Sequence, residues 1–344
     1  KRTVTDKLVH ELNELGFLSL ELPEYLEGLE LPLVTQVQIL KALSFGDLGI
    51  VQGLRDAGDA ASCIRLLQED KIIGLGQPLT EMTLAFIDNM KRDLVWENTF
   101  QTTETDEGFI LNGTTEPVRL AQFADGLFIG TITENGIPII LFSDKSSGWL
   151  VDEGDYRLGL LASGIGKIRF NDVHIPKEYV LAQGEEAEQL LEKVRTRVMI
   201  LQAAKQVGLM EAAVDYATEY TAVRKAFGQE IAKFQGVSFR IAKMVMETRV
   251  ANHLTLEAAW RCDERDEEAE NYALRALYRA HRGVRFVTDS AVQLLGGHGY
   301  IQEFPVEKWM RDAQAQVALY GRERDYLIQR GEKLLAQGEG VTTR

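Results

Sequence analysis

The residues best placed for chemistry in this chain are Gln293, Gly296, Gly297 and His298, in the string Gln293-Leu294-Leu295-Gly296-Gly297-His298-Gly299-Tyr300. Val287, Ala291, Val292, Leu294 and Leu295 form an apolar helical pattern, which Gly296-Gly297 then breaks. Paired glycines let the backbone take positive φ and let a phosphate or another chain approach it closely. A histidine in such a corner either donates to a phosphate or faces solvent as a plain turn residue. Pro305 suits the first turn of a following helix, so the simpler alternative is a capped corner between two helices. No His, Cys, Asp or Glu set has metal-ligand spacing, and neither a Walker-type loop nor Gly-x-Ser-x-Gly occurs.

Three blocks of sequence pattern must position these residues. Residues 1–75 read as an N-terminal helical domain, since Leu8, Leu12, Leu15 and Leu18 recur at helical spacing, as do Val34, Val37, Leu40 and Leu43. Ser44-Phe45-Gly46-Asp47 predicts a fresh helix start with Asp47 near its N-terminus. Residues 76–186 change to short β-rich runs, a middle β-domain. There Asn112-Gly113 predicts a hairpin turn, and Asn135-Gly136 predicts another before Pro138, which fits the start of a strand. Residues 187–344 predict a C-terminal four-helix-bundle domain, with long amphipathic stretches over 198–216, 235–262 and 268–295. The charge run at 263–268 reads as a solvated loop. The fold class is α+β.

A chain of 344 residues has ample length for a large core and two or three domains. Its net charge of -14 argues against nucleic acid and against anionic membrane surfaces. Cys63 and Cys262 alone suggest a reducing, cytoplasmic setting rather than a disulfide framework. No apolar run reaches the roughly 18–20 residues of a membrane span, and no signal-peptide pattern opens the chain. The first residue is Lys1, so the start reads as trimmed.

The full string from Gln293 through Pro305 to Arg311-Asp312-Ala313 closely resembles the C-terminal signature of the acyl-CoA dehydrogenase family. These flavoproteins oxidise an acyl thioester between its α and β carbons. Arg224-Lys225-Ala226-Phe227-Gly228, with Phe234-Gln235 downstream, resembles a second family segment. Asp172-Val173-His174-Ile175-Pro176 with Val180-Leu181 is similar to the family's strand-to-linker junction, and Pro23-Glu24-Tyr25 with Gly28 to an early turn. The resemblance implies the family's α–β–α arrangement, FAD as cofactor and an acyl-CoA or other acyl-thioester substrate. It assigns Arg224, Phe227, Gln235, Gln293, Gly296 and Gly297 to the ADP half of FAD, largely across a subunit interface. A homo- or hetero-oligomer, such as a dimer of dimers, and an electron-transferring flavoprotein as redox partner follow from the same resemblance.

The chemistry itself needs a base for the α-proton and a flavin to take the β-hydride. The family's Glu follows Arg-Asp-Ala; counting forward without a gap puts Tyr320 there, with Gly321 next. Counting back from Ile328-Gln329-Arg330 puts Glu323 there instead. A phenol is a poor base near neutrality. Glu323 lies between Arg322 and Arg324, a setting that suits an ion pair better than a poised base. Arg197 falls where the family has an Arg and is the candidate substrate contact; Glu192 is the nearest acid and is expected to face solvent. Two flavin-ring segments depart from the family: Gly76-Gln77-Pro78-Leu79-Thr80-Glu81 is shortened, and Glu116-Pro117-Val118-Arg119-Leu120 lacks the Trp and the hydroxyl. The alternatives are therefore a non-catalytic partner completing the FAD site of a paralogous chain, or a dehydrogenase linked to an acyl carrier protein.

Overall fold

The computed structural model describes residues 3–90, 100–152, 157–321 and 323–338. In chain order, α1 (Asp6–Glu14), α2 (Leu33–Gln52), α3 (Ala60–Leu66) and α4 (Glu69–Gly74) come first. Eight strands follow: β1 (Leu84–Asp88), β2 (Phe100–Glu104), β3 (Gly108–Thr114), β4 (Gly126–Ile132), β5 (Pro138–Asp144), β6 (Leu150–Asp152), β7 (Lys167–Pro176) and β8 (Val180–Gln183). Then come α5 (Glu185–Val223), the short hairpin β9 (Lys225–Ala226) and β10 (Gln229–Glu230), α6 (Gln235–Asp263), α7 (Ala269–Leu295), α8 (Val306–Leu319) and α9 (Glu323–Gly338). No helix among the described residues is long and apolar enough to cross a membrane.

The chain forms two compact units. One comprises Lys1–Leu31, Gln52–Tyr156 and Leu161–Val198. Its strands make two sheets, ordered β1-β4-β5-β8 and β2-β3-β7-β6, with β1 parallel to β4 and every other pair antiparallel. Leu127, Ile129 and Leu141 of the first sheet pack with Leu111, Ile168 and Phe170 of the second. The other face of the first sheet, through Phe128, Ile140 and Phe142, meets Ile64, Ile72, Leu191 and Val194. With both faces covered, β4 is buried along all but its last residue, so it reads as a continuous apolar run.

Turn signals in the β-domain split in their outcome. Asn135-Gly136 does turn the chain between β4 and β5, with Gly136 at φ 78 and Pro138 opening β5. Asn112-Gly113 does not turn it: both residues lie inside β3, where the pairing with β7 shifts register. Asn112 there exchanges hydrogen bonds with Asp172, donating at 2.8 Å and accepting from the Asp172 N–H at 2.9 Å. The pair sits at this break in register, a β-bulge or irregularity, where Gly113 takes φ 128°.

The second unit comprises Pro32–Val51, Arg157–Leu160 and Met199–Arg344. Ala203, Ala204, Ala258, Ala259, Ala273, Ala276 and Ala280 line its core beside Leu33, Val37, Ile200 and Leu277. Small residues let these helices approach closely; at Gly208 an added Cβ would sit 2.2 Å from the Lys41 carbonyl oxygen. Helix α2 is kinked at Asp47, whose carboxylate accepts the Ile50 N–H at 3.0 Å, as an N-cap would. The charge run after α6 is more than a solvated loop. Asp263 accepts the Leu33 and Val34 N–H groups at 2.9 and 3.0 Å, satisfying the start of α2, and Asp266 holds Arg261 at 2.6 Å.

Candidate functional site

Helix α7 delivers the glycine string. It ends at Leu295, and Gly296 takes φ 59, a conformation that suits glycine. Gly299 is fixed by packing, because a Cβ there would lie 2.3 Å from the Val292 carbonyl oxygen. Gly296 and Gly297 are exposed, and a Cβ at Gly297 would meet nothing within 4 Å. The absent side chain at Gly297 is thus not demanded by the fold.

Facing this turn is the last part of α5, which carries Tyr220 and, one turn on, Arg224 just beyond the helix end. Tyr220, Arg224, Ile231, Gln293 and residues 294–298 line an open cleft of about 350 Å³. The Arg224 side chain is exposed and meets no carboxylate among the described residues. His298, read above either as a phosphate donor or as a solvent-facing turn residue, is half-buried. Its ring stacks on Phe304 at 4.7 Å and 7°, and its Nδ1 lies 2.8 Å from the Tyr220 hydroxyl. Tyr220 and Phe304 were not singled out in the sequence; the signal available was a tyrosine four residues before Arg224, on the same helix face.

Arg224, Gln293, Gly296 and Gly297 therefore share one cleft. Phe227 and Gln235 lie outside its wall, on the β9–β10 turn and the first turn of α6. The base of that hairpin is joined to the cleft by the Ile231 N–H, which donates to the Arg224 carbonyl at 2.9 Å. Phe227 (φ 52) and Gly228 (φ 82) both take positive φ, the pattern of a type I′ turn. Phe227 is 95% exposed, so the cost of its left-handed backbone is not returned by burial within the chain.

Comparison with known proteins accounts for this arrangement. Residues 194–324, which include every lining residue of the cleft, match the family model described as acyl-CoA dehydrogenase, C-terminal domain. The solved butyryl-CoA dehydrogenase of Megasphaera elsdenii superposes with a TM-score of 0.81 at 25% identity, over 97% of this chain and 91% of that one. Residues 194–324 thus match the C-terminal domain of acyl-CoA dehydrogenases, and the chain as a whole is similar to members of that family. A short-chain specific acyl-CoA dehydrogenase of Megasphaera elsdenii is 29% identical over 72% of this chain, and the match spans 66% of that relative, just under two thirds. A caffeyl-CoA reductase–Etf complex subunit of Acetobacterium woodii is 30% identical over 62% of this chain and 58% of its own length.

Against the acyl-CoA dehydrogenase pattern, the remaining residues fall as follows. Tyr320 is the C-cap of α8, half-buried, and its carbonyl accepts from the Tyr326 hydroxyl. Glu323 opens α9 and pairs with Arg285 at 3.1 Å; Arg322 lies outside the described residues. Glu192 is exposed on α5. Arg197 is 7% exposed, and its guanidinium grips both oxygens of Glu21, at 2.5 and 2.8 Å. Arg65 and Ser62 complete that carboxylate's partners at 3.2 and 3.1 Å.

In the two segments that depart from the family's flavin-ring segments, Leu79, Val118, Arg119 and Leu120 are buried, whereas Gly76, Pro78, Thr80, Glu81, Glu116 and Pro117 are exposed. Arg119 is buried, donates to the Gln52 carbonyl at 2.8 Å and lies 3.7 and 3.6 Å from Asp56 and Asp59. The Val118 and Leu120 N–H groups donate to the Gly166 and Ser163 carbonyls at 2.8 and 3.0 Å. The Thr115 hydroxyl accepts from the Ile168 N–H at 2.9 Å. In the shortened segment, Leu79 and Glu81 donate to Gln77 and Pro78, and the Gln77 amide donates to Asp144 at 3.1 Å. The Val118 and Leu120 N–H groups and the Arg119 side chain are thus engaged within the chain.

Proposed function

We propose that this chain is a subunit of an acyl-CoA dehydrogenase-type flavoprotein that acts in the α,β-oxidation of an acyl thioester. On this reading Arg224, Phe227, Gln235, Gln293, Gly296 and Gly297 face the ADP half of FAD, held between this chain and a second one. The observation that carries it is the pairing of Phe227, 95% exposed at φ 52, with Gly297, where an added Cβ meets nothing. Inside the chain the Phe227 ring meets Phe234 edge-on at 6.2 Å and is otherwise open, and a nucleotide and a neighbouring chain against this face would account for both features. Arg224 brings an unneutralised positive charge suited to a diphosphate. The ADP end of FAD fits these residues, and FAD when bound would supply the acceptor for the substrate's β-hydride.

The flavin-ring end fits less well. Arg119, in the segment that lacks the family's Trp and hydroxyl, is committed to Asp56 and Asp59, and Glu323 is committed to Arg285. These contacts favour the second reading, a partner subunit that completes the FAD site of a paralogous chain without turning over itself. Similarity to an Etf complex subunit supports an electron-transferring flavoprotein as the redox partner under either reading. The test is the flavin spectrum and FAD-to-chain ratio of the purified protein, alone and after added FAD. One FAD per chain, bleached by an acyl-CoA or acyl-pantetheine, supports the self-sufficient enzyme, and the thioester that works decides between CoA and carrier protein. Flavin retained only in a complex with a paralogue supports the partner reading, and no flavin under any of these conditions defeats both.

A further inference from the structure

The cleft holds two polar groups that the family signature does not assign, the Tyr220 hydroxyl and the imidazole of His298. Phe304 and Tyr220 constrain the imidazole from two sides. Phe304 lies flat against the ring at 4.7 Å and 7°, and Tyr220 stands edge-on at 82°. The Tyr220 hydroxyl reaches Nδ1 at 2.8 Å, whereas the Leu295 carbonyl is 3.5 Å from that hydroxyl, at the limit of a hydrogen bond. A hydroxyl has a single proton, and the shorter contact is the better place for it. With Tyr220 donating to Nδ1, the neutral ring carries its proton on Nε2. Were the ring to gain a second proton, Nε2 would still be a donor. Nε2 has no partner among the described residues, and His298 lines the cleft beside Arg224.

We propose that His298 is a specificity residue: its Nε2–H, fixed as a donor by Tyr220 and held in plane by Phe304, binds a phosphate oxygen of an adenosine diphosphate moiety in the cleft. This deepens the nucleotide reading given above and rests on it. Arg224 supplies charge on the same side, and the open backbone at Gly297 lets the phosphate come near. An adenosine diphosphate group is common to FAD and to CoA, so the geometry defines the chemistry and the ligand series must name the source.

The experiment is calorimetric titration of the full chain with adenosine, AMP, ADP, FAD and CoA, using wild type, His298→Phe, His298→Gln and Tyr220→Phe. Circular dichroism and thermal unfolding verify that each variant is folded. His298→Phe keeps the stack on Phe304 and removes the donor, so ADP affinity is expected to fall about tenfold while adenosine affinity stays within twofold. His298→Gln restores part of the loss, having an N–H of its own. Tyr220→Phe leaves His298 in place but frees its tautomer, and an intermediate loss for ADP is expected. FAD following ADP with CoA unaffected assigns the site to the flavin nucleotide; CoA following ADP assigns it to the substrate. Wild-type ADP affinity in His298→Phe, with ADP still bound by wild type, overturns the role of His298 and leaves the cleft intact. Failure of wild type to bind ADP, FAD or CoA overturns both the inference and the nucleotide reading beneath it.

Discussion

At the scale of single residues, the glycines of the cleft separate fold from function. Gly299 and Gly297 are neighbours in one motif, yet a Cβ at the first would strike the Val292 carbonyl and at the second would meet nothing. Gly297→Ala is therefore expected to leave the melting temperature unchanged within about 1 °C while weakening FAD or ADP binding by about tenfold or more, measured by titration. Gly299→Ala is expected to lower stability by about 1–3 kcal/mol through overpacking, whatever its effect on ligand. A second residue reports through pH. His281 is buried in the bundle with Nδ1 2.8 Å from the Gln206 amide oxygen, and desolvation, reinforced by the Arg285 charge and opposed by the Tyr320 carbonyl, pushes its pKa from 6.5 to about 3. The unfolded chain protonates this imidazole below 6.5 and the folded chain does not, so stability is fully present above that value and falls as the solution is acidified. The slope from this group is about 1.4 kcal/mol per pH unit, until the folded-state value is reached. Urea unfolding at about pH 7.5 and about pH 5 is expected to show a larger drop for wild type than for His281→Gln, which has no proton to gain. The sequence made the glycines legible because turns need glycine and turns punctuate helices. It gave no sign that His281 is buried or that His298 is stacked, because both depend on partners far away in the chain, Gln206 and Tyr220.

At the scale of elements, two aspartates hold the start and the kink of α2. Asp312 on α8 is 2% exposed; it accepts the Leu160 N–H at 2.6 Å and pairs with Lys308 at 2.7 Å, and Lys308 in turn grips both oxygens of Asp47 at 2.9 Å. Burial works against the charge on Lys308, but Asp312 and Asp47 outweigh it and raise the amine above its ordinary range. Asp312→Ala removes the central acceptor and leaves a backbone N–H and part of a charge unanswered, so a loss of about 3–5 kcal/mol in urea unfolding is expected. Asp263→Ala removes two backbone acceptances at the start of α2 and is expected to cost about 1–2 kcal/mol. The hairpin β9–β10 works in the opposite direction. Phe227→Gly relieves a left-handed aromatic and is expected to raise stability by about 1 kcal/mol, at the expense of nucleotide binding. The bounds of α6 and α7 were readable from apolar periodicity, which is local, but α5 runs well beyond the 198–216 stretch at both ends. The Asp263 cap was not readable, since a carboxylate in a run of charges looks the same whether it meets water or a helix start 230 residues distant. Asn112-Gly113 misled for a related reason: positive φ serves a bulge as readily as a turn, and only the register with β7 separates them.

At the scale of the whole molecule, the question is what covers the apolar groups that the chain leaves exposed. On α6, Phe239, Met246 and Val250 are 67%, 59% and 41% exposed, and their spacing of seven and four puts them on one helix face. Three large apolar side chains in a row are more than the scattered exposure of a monomer's surface. If the ADP face acts across an interface, assembly and flavin binding are linked, and each should change with the other by mass action. Phe239→Lys/Met246→Lys places two charges on the stripe without touching the cleft. Light scattering is expected to show a smaller species than wild type, with FAD or ADP affinity reduced in the same variant. Adding Gly297→Ala to wild type instead should remove the nucleotide and weaken assembly only by the share the nucleotide contributes. A variant that dissociates yet holds FAD at the wild-type ratio would place the nucleotide wholly within one chain, and the exposure of Phe227 would then need another partner. Loss of both together ties the two unexplained features, the bare turn at Gly297 and the aromatic at Phe227, to a single event: a second chain closing over a shared nucleotide.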